Sequence, residues 1–162
     1  MENNIIHDSY YLIKLFLTDN KKITQLHIQK LMYFFEAYYM NEKDVDKLYD
    51  CNFNAWAFGP VAIPLYKEYK NFGEFPITLT EEKIKIADSI VKNKKDMLKE
   101  LYRVFGELTA SQLVNLTHMT NSPWYNKWIE NDKKIVYGAD SYIDKAETKK
   151  WFRENFIVNE TT

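Results

Sequence analysis

The sequence predicts a mainly α-helical fold, a compact domain of helices packed around one buried central helix. Residues 31–40 are apolar on nearly every helical face, with Glu36 as the one charged side chain. A helix of that kind is normally buried in the middle of a bundle. Helix-capping signals recur along the chain, and an aromatic content of 16% supplies large side chains for a core. A length of 162 residues fits a single domain.

Capping and breaking residues place the helices in order along the chain. Thr24 is a candidate N-cap for the central helix, and Thr109 with Gln112 has the spacing of a capping box. Counted from the capping residue where one is predicted, the helices cover residues 9–18, 24–41, 64–72, 80–105, 109–118, 122–131 and 144–156. The helix predicted at residues 80–105 could also be broken near Asn93. The single domain is expected to span residues 1–158, with residues 159–162 as a frayed tail.

A short β-hairpin is the expected exception to the helical pattern. Residues 52–58 alternate loosely between apolar and other side chains, and residues 76–79 could form a second short strand that pairs with them. Between them, Gly59-Pro60 breaks the chain and residues 59–63 are expected to be extended. The next helix is placed at Pro64, because the first turn of a helix tolerates proline, and Gly73 is expected to end it.

Composition excludes several classes of protein. The formal net charge is −1, and the short basic runs at 92–95 and 133–134 are interpreted as solvated faces, so unaided nucleic-acid binding is not expected. The single Cys51 cannot form an internal disulfide, which fits a reducing compartment. No targeting signal and no membrane-spanning run is evident. The sequence therefore predicts a soluble, cytoplasmic protein with no membrane partner.

The sequence offers no catalytic or metal-binding constellation. The four glycines are isolated and cannot form a phosphate-binding loop, and no G-x-S-x-G motif is present. A zinc site would have to assemble from His27, His118 and Cys51, whose spacing does not favour one. We therefore expect no catalytic residue, no metal and no cofactor, and do not expect an enzyme.

Three single residues have more than one interpretation. The ring of His118 is expected to bond a carbonyl at a helix C-terminus, with partner contact or general-base catalysis as alternatives. Trp56 is interpreted as a core or covering residue, so that Trp56→Ala would cost the stability of a core truncation; if it is exposed, it could anchor an interface. Lys30 either extends to solvent or pairs with a buried carboxylate such as Glu36.

Three sequence blocks together resemble a known family. They are Ile28-Gln29-Lys30-Leu31-Met32-Tyr33-Phe34 after Ile23-Thr24, then Ala55-Trp56-Ala57-Phe58-Gly59-Pro60-Val61 with Pro64-Leu65-Tyr66, and Leu113 with Leu116-Thr117-His118 and Ser122-Pro123-Trp124. In this order, over residues 23 to about 128, they are similar to the SocA-like antitoxin family, also called the Panacea domain. The motif residues to which the resemblance gives a structural or interaction role are Gln29, Lys30, Leu31, Tyr33, Trp56, Gly59, Pro60, Val61, Pro64, Tyr66, Thr117, His118, Ser122, Pro123 and Trp124. Ile28 and Ala62-Ile63 depart conservatively from the family pattern.

The resemblance implies an antitoxin that binds a co-encoded toxin protein and blocks it, without catalytic residues. Family members pair with unrelated toxins and occur on phage and mobile elements, and one acts as an adaptor that delivers its toxin to a protease. A protease partner such as a Clp-type machine and an oligomeric state are therefore further expectations. The alternative is a transcriptional or host-interaction regulator. The Gly59-Pro60 and Pro123-Trp124 elements are expected to shape the domain rather than contact the toxin.

Overall fold

A computed structural model describes residues 4–157, and in that range the chain is mainly α-helical with one two-stranded antiparallel sheet. The helices are α1 (Ile5–Thr18), α2 (Gln25–Lys43), α3 (Ile63–Tyr69), α4 (Glu81–Asp88), α5 (Lys92–Phe105), α6 (Ala110–Thr117), α7 (Pro123–Glu130) and α8 (Lys145–Phe156). The strands are β1 (Phe53–Trp56) and β2 (Gly59–Ala62), and two short 3-10 turns cover Lys70–Phe72 and Ala139–Ser141. The predicted fold class is confirmed. The predicted tail at 159–162 lies outside the described residues.

The central helix α2 is the core of the molecule. It contacts α1, α3, α5, α6, α8 and β2, and every residue from 27 to 37 is buried. Seven of its apolar side chains are completely buried: Ile28, Leu31, Met32, Phe34, Phe35, Ala37 and Met40. Burying one of the larger of these side chains stabilises a fold by about 1.5–3 kcal/mol. The prediction of a buried central helix is confirmed.

Side-chain caps set most of the helix starts. Thr109 and Gln112 form the predicted capping box, and Asp144 accepts a hydrogen bond from the backbone of Glu147 at the start of α8. Thr24 precedes α2 as predicted, but its side chain makes no capping bond. Helix α1 begins four residues earlier than predicted, because Asn4 accepts hydrogen bonds from two backbone N–H groups of the first turn. The open break near Asn93 falls at residues 89–91, between α4 and α5.

The partner of the first strand differs from the prediction. Strand β1 pairs with β2, with Phe53 opposite Ala62 and Trp56 opposite Gly59, and only Ala57 and Phe58 connect them. The prediction that residues 76–79 form the second strand is wrong. They lack strand pairing, and Ile77 donates a backbone bond to Ile23 instead. A two-residue connection has a much lower loop-closure entropy cost than one of about twenty residues, which favours the local pairing.

Candidate functional site

The three sequence blocks come together on one side of the molecule. The first block lies on α2, the second forms the β1–β2 hairpin and the start of α3, and the third joins α6 to α7. Helix α2 packs against β2, α6 packs against both, and α7 packs against β1. Residues about 30 and 90 positions apart in sequence are therefore neighbours, and hydrogen bonds connect them.

Gln29 closes the free edge of strand β2. Its Nε2 donates to the backbone carbonyl of Ala62 over 3.0 Å, and the backbone N–H of Ala62 donates to its Oε1 over 2.8 Å. The side-chain amide thus satisfies one donor and one acceptor of the strand, as a neighbouring strand would. Both residues are buried, where unpaired backbone groups would be costly.

Lys30 is completely buried beneath the same strand. Its Nζ donates to the carbonyl of Pro60 over 2.9 Å, and no carboxylate of the described residues lies within ion-pair distance. Burial lowers the pKa of Lys30 to about 7. Both predicted alternatives for this residue are wrong, because it neither reaches solvent nor pairs with Glu36. Glu36 pairs instead with Lys145 over 2.6 Å.

Gly59 allows Lys30 and the hairpin to approach so closely. Its φ is +107°, in a region that favours glycine. A Cβ at this position would lie 2.6 Å from Cε of Lys30 and 2.9 Å from Oγ1 of Thr117. The glycine is therefore required both by backbone conformation and by the contact between the three blocks.

The third block is joined to the hairpin by Trp124. Ser122 caps α7 by accepting from the backbone of Tyr125, and its hydroxyl donates to the carbonyl of Thr117 over 2.7 Å. Pro123 occupies the first turn of α7, so Trp124 is directed at β1. There its Nε1 donates to the carbonyl of Trp56 over 2.7 Å.

His118 stacks on Trp124, with ring centroids 3.7 Å apart and planes 6° apart. Its Nε2 is buried and has no hydrogen-bond partner among the described residues. Nε2 therefore does not make the bond to a helix C-terminal carbonyl that was expected of this ring. Burial lowers the pKa of His118, and the nearby charge of Lys30 lowers it further. The neutral ring is the form that suits a stacked, desolvated position.

A cavity of about 540 Å³ opens beside the hairpin and the start of α2. Its lining includes Gln29, Lys30, Trp56, Val61 and Tyr66 from the family motifs, together with Phe58, Glu74 and Ile135. The volume is in the usual range for a ligand pocket. The cavity thus brings five of the motif residues to one concave surface.

Two exposed aromatic rings, Phe58 and Tyr66, line this cavity, and Tyr137 contacts the lining residue Trp56. Phe58 is 69% exposed, Tyr66 43% and Tyr137 78%. Trp56 is partly exposed and meets the rings of Tyr66 and Tyr137 edge to face, at centroid distances of 6.0 and 5.9 Å. Trp56 and Tyr66 were predicted as motif residues from the sequence, whereas Phe58 and Tyr137 were not. The available signal for Phe58 was its place next to the Gly59-Pro60 break, where a large apolar residue is unusual in a solvent-exposed turn.

The remaining motif residues support the fold. Leu31 and Tyr33 are in the core, where the hydroxyl of Tyr33 is 2.9 Å from that of Thr148 on α8. Pro64 is the second residue of α3, which begins one residue earlier than predicted. These residues fix α2 and α3 rather than line the cavity.

Residues 4–157 offer few other features of a catalytic, metal-binding or membrane protein. No group of three or more His, Cys, Asp or Glu side chains within residues 4–157 could hold a metal ion. Cys51 is half-buried, and burial raises the pKa of its thiol, so the reactive thiolate is disfavoured. Among the same residues, no helix has the length and apolar character needed to cross a bilayer.

Comparison with known proteins identifies relatives of the chain. Residues 28–125 match the family described as antitoxin SocA-like, Panacea domain. The chain is also similar to the antitoxin SocA of Caulobacter vibrioides, with 30% identity over 110 residues, which is 63% of this chain. The match spans 58% of the length of that relative. No solved structure matches the chain.

Proposed function

Because this chain belongs to the antitoxin SocA-like family with the Panacea domain, we propose that it is an antitoxin that neutralises a co-encoded toxin protein by direct binding. The family match covers most of α2, the hairpin, α3 to α6 and the start of α7, which together contain all three sequence blocks. The named relative is itself an antitoxin. In this proposal the chain counteracts the toxin by binding to the surface of the toxin.

One observation carries this proposal. The motif residues bond to one another across three segments and hold a preformed apolar cavity with exposed rings at its edge. Rigid, partly exposed aromatic side chains are typical anchors of protein interfaces. A preformed surface also lowers the entropy cost of ordering side chains on binding.

The same arrangement favours binding over catalysis. His118 is stacked against Trp124, and Lys30 bonds the carbonyl of Pro60, so each of these two titratable side chains has a structural contact. Among the described residues, neither forms a hydrogen-bonded pair with a hydroxyl or thiol, the arrangement by which a base activates a nucleophile. A non-enzymatic role in the cytoplasm, where a single unpaired Cys51 is stable, is part of the proposal.

Growth rescue tests the proposal. The reading frame adjacent to this chain would be expressed from an inducible promoter with and without the chain, and the amount of its product measured. We expect toxicity that co-expression relieves, with the two proteins co-purifying. Relief with an unchanged amount of toxin indicates occlusion, whereas relief with loss of the toxin indicates delivery to a protease of the Clp type.

Two results would contradict the proposal. One is a product that is not toxic, and the other is toxicity that the chain does not relieve. The regulator hypothesis would then be tested by binding of the chain to DNA upstream of its own gene at several salt concentrations, since nucleic-acid binding through charge weakens as salt rises.

A further inference from the structure

We propose that Lys30 and His118 form a pH-sensitive latch, which holds the β1–β2 hairpin and α6 closed on α2 while both side chains are neutral and opens as falling pH protonates them. The latch is the contact among α2, the hairpin and α6 around the amine of Lys30. Two features of its geometry carry the inference, the enclosure of that amine and a second basic side chain that faces it.

The amine of Lys30 is enclosed where the three sequence blocks meet. The side chain has no exposed surface, and its Nζ donates to the carbonyl of Pro60 over 2.9 Å. A Cβ added at Gly59 would lie 2.6 Å from Cε of Lys30 and 2.9 Å from Oγ1 of Thr117, so the hairpin and α6 both close on the lysine. Solvent therefore reaches the amine when these segments separate.

His118 is the second basic group of the latch. It follows the last residue of α6, its ring stacks on Trp124, and its buried Nε2 has no hydrogen-bond partner among the described residues. The charge of Lys30 acts on this ring and disfavours its protonation. A protonated His118 would add a second positive charge beside the first and a buried donor without an acceptor.

The elements around the latch supply no compensating negative charge in residues 4–157. Strand β2 has no titratable side chain, and no carboxylate lies within ion-pair distance of Lys30. Glu36 on α2 pairs with Lys145 of α8 instead. Burial alone lowers the pKa of Lys30 to about 7, and burial followed by the charge of Lys30 lowers that of His118. Carboxylates of the neighbouring helices contribute to neither pKa.

Proton linkage gives the direction of the switch. An opened latch returns the amine to water, where its ordinary pKa is 10.5, so the open state binds the proton more tightly than the closed state. The latch is therefore firmest at high pH and weakens as pH falls from about 10.5 to about 7 through Lys30. His118 adds a second loss as pH falls below its ordinary pKa of 6.5.

Hydrogen exchange of the Ala62 amide tests the proposal in the unaltered chain, because that amide bonds to Gln29 inside the latch. After correction for the intrinsic pH dependence of exchange, we expect its opening constant to rise at least tenfold from about pH 9 to about pH 7. It should also exceed the equilibrium constant of global unfolding, measured by urea denaturation, at each pH. An opening constant that does not rise, or that equals the unfolding constant, would overturn the proposal.

Lys30→Met removes the titrating amine at similar volume and should make the opening constant independent of pH over this range. Lys134→Met, at an exposed position, is the matched control and should retain the rise. A rise of equal size in both variants contradicts the proposal. If Lys30→Met does not fold, the Cε resonance of Lys30 in the unaltered chain still reports the titration by NMR. A midpoint near 7 is expected, and one near 10.5 would contradict the proposal.

His118→Phe tests the second step, since phenylalanine keeps a ring that can stack on Trp124 but does not titrate. We expect this variant to lack the further rise of the opening constant below about pH 6.5 and to keep the rise between about pH 9 and pH 7. His7→Phe, at an exposed position, is its control and should keep both. The same rise below about pH 6.5 in the two variants would remove His118 from the latch and overturn the proposal.

Discussion

Among single residues, Gly59 has the least freedom to change. Gly59→Ala combines a strained positive φ with a Cβ only 2.6 Å from the Lys30 side chain. Strain of this kind costs about 1–3 kcal/mol, and the clash adds to it because Lys30 is held by its bond to Pro60. We expect the free energy of unfolding, measured by urea denaturation, to fall by about 3 kcal/mol.

Gly138→Ala is the matched control for this change. Gly138 also has a positive φ, of +80°, but a Cβ added there would have no neighbouring atom within 4 Å. Gly138→Ala should cost only the backbone strain, about 1–3 kcal/mol, with no clash added, so its loss of stability should be smaller than that of Gly59→Ala. Equal losses at the two glycines would show that the contact with Lys30 does not constrain the hairpin.

Trp124 and Trp56 should respond differently to truncation. Trp124 is buried and bonds the Trp56 carbonyl, so Trp124→Ala should cost about 3–5 kcal/mol of unfolding free energy. Trp56 is only partly buried, and its carbonyl stays in place in Trp56→Ala, so we expect a loss of about 1–2 kcal/mol rather than the full core value. Thermal denaturation of both variants measures the difference. A larger loss for Trp56→Ala would place that ring in the core instead.

The sequence showed which residues belong to the motifs, but not what each of their side chains contacts. The blocks that contain Lys30, Gly59 and His118 were recognisable, but what each side chain contacts was not. Lys30 bonds a carbonyl 30 residues away, and His118 stacks on a ring that belongs to the next helix. Such contacts depend on how α2, the hairpin and α6 are placed in space, which local sequence patterns do not specify.

Among the secondary-structure elements, the hairpin depends on Gln29 for its place against α2. Gln29→Leu keeps a side chain of similar size but leaves the N–H and C=O of Ala62 without partners in a buried position. Losing both bonds should cost about 2–4 kcal/mol. Gln25→Leu is the control, because Gln25 makes a single exposed bond to the carbonyl of Gly73.

Urea denaturation measures the unfolding free energy of both variants. It compares the loss of the two buried bonds of Gln29 with the loss of the one exposed bond of Gln25. We expect Gln25→Leu to change the unfolding free energy by less than about 1 kcal/mol. Hydrogen exchange of the Ala62 amide gives a local readout, and it should accelerate in Gln29→Leu. An unchanged exchange rate would mean that α2 does not close this strand edge.

Helices were predictable from sequence because their signals are local, whereas strand pairing was not. Capping residues such as Thr109, Ser122 and Asp144 satisfy N–H groups three residues away, so the sequence contains the whole interaction. A strand needs a partner, and both residues 59–62 and residues 76–79 were available to β1. The shorter connection formed the hairpin, and Ile77 bonded to the segment before α2.

For the whole molecule, stability should depend on pH through Asp8. This buried carboxyl accepts from the hydroxyl of Tyr49 and pairs with Lys94, so it connects α1, α5 and the segment after α2. Burial raises the pKa of Asp8 in spite of these partners. The folded state therefore binds the proton more tightly than the unfolded state, and the stability from this group is present below about pH 3.8 and lost as pH rises through the folded pKa.

Asp8→Asn isolates this effect, because an amide does not titrate. We expect the unfolding free energy of the unaltered chain, relative to that of the variant, to decrease as pH rises from about 4 toward neutrality. Asp46→Asn, at an exposed position, serves as the control. A relative stability that rises with pH would mean that the bonds to Tyr49 and Lys94 outweigh the cost of burial.

The whole molecule combines a helical core with an apolar cavity whose edge is exposed. The cavity joins parts of α2, the hairpin and α3, so it exists only in the folded chain. The family, the helices and five of the residues that line this cavity were predictable from local sequence patterns and motifs. It did not predict the cavity itself, because Phe58, Glu74 and Ile135 carry no motif that relates them to one another.

Inhibition by direct binding is the central claim, and a titration of purified proteins tests it most directly. The activity of the purified toxin would be measured as the chain is added in the absence of any protease. Direct binding predicts that activity falls to zero at a fixed molar ratio and that a complex of the two proteins elutes as one species. Toxin activity that persists at excess chain, while the chain still rescues growth in cells, would contradict neutralisation by binding.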